Sequence, residues 1–111
     1  MAEDSLGVRH KWTPVVYANY YGILVAAGRR LGYAIAIHGS MGRDFDLIAI
    51  PWTDEAVSPD FLVHNLAHSI GAWIDEDPEM DVEIKPHGRL AYTIGTGGGG
   101  YIDLSIMPRI D

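Results

Sequence analysis

Residues 38–51 read His38-Gly39-Ser40-Met41-Gly42-Arg43-Asp44-Phe45-Asp46-Leu47-Ile48-Ala49-Ile50-Pro51, and their reading decides how the rest of the chain is laid out. An apolar run, Tyr33-Ala34-Ile35-Ala36-Ile37, leads in, and a β-branched run stopped by Pro51 leads out. Two such segments joined by glycine, serine and charged residues predict neighbouring strands over 33–38 and 44–50. Side chains alternate across a strand, so Phe45, Leu47 and Ala49 share one face, opposite Asp44, Asp46, Ile48 and Ile50. The first face is core and the second displays acids. Two carboxylates spaced two apart on a strand repel unless a proton or cation sits between them, a pattern suited to a divalent ion.

On the N-terminal side, residues 1–11 are polar and mixed, and are expected to form a flexible tail. Thr13-Pro14 suits a helix cap followed by proline at the first helical position. Val15, Tyr17, Tyr20, Leu24, Ala27 and Leu31 then recur at helical spacing, which predicts a helix over 14–31. Arg29 and Arg30 suit its C-terminal dipole, and Gly32 stops it. Beyond the acids, Ser58-Pro59 opens a second helix by the same logic. It is predicted from 59 to 73, with Phe61, Leu62, Leu66, Ile70 and Trp73 as its apolar stripe. An acidic stretch, 75–83, reads as a solvated loop. Short β segments follow at 82–85 and 90–94, and the last strand is predicted over 101–107. In that strand Ile102, Leu104 and Ile106 alternate with Tyr101, Asp103 and Ser105, so Asp103 falls on a polar face. The run from Gly95 to Gly100 reads as a loose hairpin turn. No GK[ST] follows it and no helix starts there, so it is not a P-loop.

Short β connections require antiparallel neighbours, and two amphipathic helices can cover one face of the resulting sheet. The expected fold is therefore a single α+β domain over residues 1–111, a two-layer arrangement of a small, mainly antiparallel sheet with both helices on one face. One open face with several aromatics exposes apolar area unless a second copy covers it, so a homo-oligomer is expected. Hydrophobic residues at 48% and charged residues at 21% are those of a globular chain. A net charge of −7 gives no broad basic surface to neutralise phosphates, which argues against general nucleic-acid binding. With no cysteine there is no disulfide, thiolate metal site or cysteine nucleophile. No apolar run approaches membrane-spanning length and no signal core is visible, so a cytoplasmic protein without a membrane partner is expected.

A strand, then Gly-Ser, then Asp-x-Asp on the next strand, with a third acid on a later strand, resembles the nucleotidyltransferase superfamily of DNA polymerase β and its minimal antitoxin-type members. The resemblance implies that Gly39 and Ser40 hold nucleotide phosphates, with Arg43 offsetting their charge from the turn. It also implies that Asp44, Asp46 and Asp103 are catalytic and bind divalent metal, Mg2+, with Asp103 activating an attacking hydroxyl. That family places part of a helix between Gly-Ser and the acid pair; here only Met41-Gly42-Arg43 intervene. The chain also resembles small proteins of tailed bacteriophages and prophages, which implies a bacterial or phage-infected bacterial cell.

Two other functions suit the same residues. One is a non-catalytic nucleotide-binding module, for instance a phage protein that sequesters a host signalling nucleotide as a counter-defence. The other is an acidic protein that engages a basic partner. His64 and His68, at i and i+4, read as an ordinary exposed helix pair without the metalloprotease glutamate. His38 and His87 read as histidines at the edge of the core, and Arg89 and Arg109 are too few for a nucleic-acid surface. Trp12, Trp52, Trp73 and the six tyrosines read as core and subunit contacts rather than base-stacking platforms.

Overall fold

The computed structural model describes residues 14–39, 45–72, 82–84, 88–97 and 100–109. Its elements run α1 (Pro14–Arg30), β1 (Tyr33–His38), β2 (Phe45–Pro51), α2 (Pro59–Ser69), β3 (Val82–Ile84), β4 (Leu90–Gly97) and β5 (Gly100–Ile106). Among the described residues five strands form one mixed sheet in the order β1-β2-β5-β4-β3. The β1–β2, β4–β5 and β3–β4 pairs are antiparallel, and the central β2–β5 pair is parallel. The parallel pair is the one topological feature that short-connection reasoning misses, because the chain passes through α2, β3 and β4 before β5 returns beside β2.

Both helices join one core with the same face of the sheet, as the two-layer α+β expectation requires. Tyr17, Leu24 and Ala27 of α1 and Leu62, Val63, Leu66 and Ala67 of α2 are buried. They form a single cluster with Tyr33 and Ile35 of β1, Phe45, Leu47 and Ala49 of β2, Tyr92 and Ile94 of β4, and Ile102, Leu104 and Ile106 of β5. Tyr17 stacks on Phe45 with ring centroids 4.7 Å apart, and Tyr21 meets the same ring edge-on at 6.3 Å. The Tyr21 hydroxyl donates to the Ile35 carbonyl at 2.8 Å, which fixes α1 over the outermost strand.

The helices differ from their predicted stripes where a neighbour is lacking. Val15, in the first turn of α1, is 70% exposed, and Phe61 of α2 is 53% exposed. Leu62 and Leu66 of the predicted stripe are buried, joined by Val63 and Ala67, and Ile70 packs against the core. Ser58 caps α2 as expected, its hydroxyl accepting from the Phe61 amide at 3.2 Å. The helix stops at Ser69 rather than 73, because the Ile70 amide turns back to the Ala67 carbonyl and the Gly71 amide to the His68 carbonyl. Trp73 and Thr13 lie outside the described residues. The glycine run is not one long turn: β4 continues to Gly97 and pairs it with Gly100, with an irregularity between Gly95 and Gly97.

Two core tyrosines carry a pH signature. Burial raises the Tyr33 hydroxyl above its usual pKa of 10.0, partly offset by Arg109. Burial, then Asp60, then Tyr33 itself raise Tyr92. In the window above pH 10 the unfolded chain releases these protons before the native one, so stability falls as pH rises through it. Below pH 10 the contribution is fully present. We expect urea midpoints to hold up to about that pH and to decline beyond it, and the decline to be shallower in Tyr92→Phe. An equally steep loss in Tyr92→Phe would show that other groups govern alkaline unfolding.

Candidate functional site

The face of the sheet away from the helices carries the acids. Cross-strand register places His38 opposite Asp46, Asp46 beside Asp103, and Asp103 opposite Thr93. Asp46, Asp103 and Thr93 each lie between buried neighbours, and His38 is out of phase with the buried Tyr33 and Ile35 of its strand, so the four form a row across the open face. Neighbouring strands lie about 4.8 Å apart. Two carboxylates on such neighbours reach one ion at ligand distances of roughly 2.0–2.6 Å.

Asp46 and Asp103 are thus brought together from positions distant in sequence. Asp44, Ser40 and Arg43 lie outside the described residues. Among the described residues no group of three or more His, Asp or Glu is placed to hold a metal ion. The fit of a cation therefore turns on the Asp46–Asp103 pair and on how the turn before β2 is built. Gly39 has φ +81°, a backbone region open to glycine, and a Cβ there would lie 2.7 Å from Asp46 Oδ2. The Asp46 carboxylate occupies the space a side chain would fill, so this glycine cradles the acid.

Further along β2 and β5 the same face turns apolar. Ile48, Ile50, Pro51, Trp52, Thr53, Asp54, Met107, Pro108 and Arg109 line a groove of about 600 Å³. Trp52 is 77% exposed, so of its two readings, core or subunit contact, it is not core. The signal in the sequence was Pro51-Trp52 directly after a strand whose outward residues change from acid to isoleucine. Arg109 donates to the Asp54 carbonyl at 2.7 Å and to the Ala56 carbonyl, tying the C-terminal segment to the loop after β2.

The remaining candidates are peripheral. His64 and His68 are exposed on α2, and His64 Nδ1 meets the Asp60 carbonyl at 2.8 Å. That carbonyl can only accept, so Nδ1 carries the proton. His87 lies outside the described residues. No described helix is long and apolar enough to cross a membrane.

Gly39→Ala tests the cradle. It places a side chain at a left-handed φ and against Asp46, and should cost about 1–2 kcal/mol of stability by chemical denaturation. A loss under about 0.4 kcal/mol would show that the turn relaxes away from the carboxylate. No protein-family model, curated protein or solved structure matches this chain.

Proposed function

We propose that the open face binds a nucleotide through a divalent cation held by Asp46 and Asp103, in the manner of a nucleotidyltransferase-like protein. The observation that supports this is the direct pairing of the two acids on parallel strands at the middle of the sheet. Like charges paired across a sheet destabilise it. A bridging cation turns that repulsion into attraction. The donor set is hard oxygen, which suits Mg2+ or Mn2+ rather than a thiolate-seeking metal.

In this reading Asp44 adds a third carboxylate beside Asp46, and the Gly39-Ser40 turn and Arg43 contact phosphate oxygens. Arg43 acts there as a charged donor to phosphate. When bound, the cation neutralises charge on the phosphates and on a leaving pyrophosphate. Asp103 orients an acceptor hydroxyl. The short Met41-Gly42-Arg43 link favours a second reading, in which the same site binds a signalling nucleotide without turning it over, because so few residues leave little room for an acceptor. Both place the protein in the cytoplasm of a bacterial or phage-infected cell.

Asp46→Asn separates a ligand site from a merely structural acid. At a ligand concentration of about 100 Kd, magnesium plus a nucleoside triphosphate should stabilise the wild type by about 2.7 kcal/mol in melting curves. The variant should lose that gain while its metal-free stability rises or stays unchanged. A variant destabilised by about 0.5–2 kcal/mol that keeps the wild-type ligand shift would make Asp46 structural and remove the ground for the enzyme reading.

A further inference from the structure

The open face is graded along β2 and β5. Asp46 and Asp103 stand side by side; two residues on are Ile48 and Ser105, and at the strand ends come Ile50 and Met107. At about 3.3 Å per residue, the apolar groove begins about 7 Å from the acids and reaches about 13 Å from them. Its volume of about 600 Å³ lies within the range of small-molecule sites. Trp52 stands in water at its rim beside Ile50, itself 40% exposed. A flat aromatic surface left bare next to a concave apolar wall is what a planar ring requires. Arg109, the cation among the lining residues, is already donating to the Asp54 and Ala56 carbonyls. Asp54 lines the same groove, so the lining carries one charge of each sign and no net positive charge to draw a second anion.

The geometry points to this groove as the seat of a heterocyclic base, with Trp52 as the stacking side chain. The ligand lies along β2 and β5, its phosphates over Asp46 and Asp103 and its base over Ile50 and Met107. The assignment rests on the nucleotide reading above and adds to it the residue that tells a nucleotide from bare polyphosphate.

Calorimetric titration in magnesium separates the two. The probes are inorganic triphosphate and the four common nucleoside triphosphates, and the proteins are wild type, Trp52→Ala, Trp52→Phe and Asp46→Asn. At least one nucleoside triphosphate should bind the wild type about tenfold or more tightly than triphosphate does, the size of one base stack. Trp52→Ala should erase that preference and leave triphosphate affinity within about twofold, and Trp52→Phe should restore most of it. Trp52 is exposed, so these variants fold as the wild type does. Asp46→Asn should abolish binding of both probes. If Trp52→Ala leaves the preference intact while Asp46→Asn abolishes binding, the base seat is overturned and the acid site stands. If the wild type binds no polyphosphate, the acid site and the base seat fall together. A wild-type dimer that Trp52→Ala converts to monomer in sedimentation would assign the groove to a second copy and overturn the proposal.

Discussion

The parallel pairing of β2 with β5 is the constraint on which the rest of the structure depends. It sets Phe45 beside Ile102, Leu47 beside Leu104 and Ala49 beside Ile106, all buried under the helices. The Met107 amide extends the ladder by donating to the Ala49 carbonyl at 2.9 Å. Because side chains alternate, a slip of one residue would push Asp46 or Asp103 into the core and its apolar neighbours into water. The juxtaposition of the two acids is thus enforced by packing on the opposite face. Parallel strands need a long crossover, and the segment between β2 and β5 supplies it. That segment includes α2, whose Leu62, Val63, Leu66 and Ala67 seal the core face.

The loop after β2 is held as firmly as the strand. Trp52 donates its amide to the Gly32 carbonyl at 2.7 Å, and Val57 donates to the Leu31 carbonyl at 3.0 Å. The Tyr33 hydroxyl donates to the Val57 carbonyl at 2.6 Å, and Arg109 reaches the carbonyls of Asp54 and Ala56. These bonds converge from β1, the α1–β1 turn and the end of β5. Trp52 is exposed, yet its backbone is pinned by these bonds.

Much of this was legible because it follows from period and punctuation. The alternation in Phe45-Asp46-Leu47 and in Ile102-Asp103-Leu104 fixes which residues are core without any knowledge of partners, and Ser58-Pro59 marks the start of α2 by cap chemistry alone. The β2–β5 pairing is non-local, and nothing in either strand names the other. The proximity of Asp46 to Asp103 could therefore be expected only through a family resemblance. Phe61 and Val15 match a helical stripe yet stay exposed, because a stripe is realised only where the sheet is wide enough to receive it. The groove was missed for a related reason: Ile50, Trp52 and Met107 come from two segments that meet only once the parallel pair has formed.

Charge decides what the face can accept. A nucleotide polyphosphate meets a chain of net charge −7 and, at the centre of the face, two further carboxylates. One pair of like charges about 4 Å apart costs roughly 1 kcal/mol in water and about 4 kcal/mol near a protein surface. Several such pairs outweigh the stacking of one base on Trp52, about 1–3 kcal/mol. The groove alone cannot therefore hold a nucleotide against the acids. Of the described cations, Arg29 and Arg30 end α1, Arg109 is engaged with carbonyls, and Arg89 is half-buried just before β4. In the reading proposed above, a divalent ion between Asp46 and Asp103 would cancel their two charges where the phosphates would lie, and only then would the apolar wall add to affinity. In that reading metal and base are coupled by electrostatics: the ion would permit binding, and the groove would select what is bound.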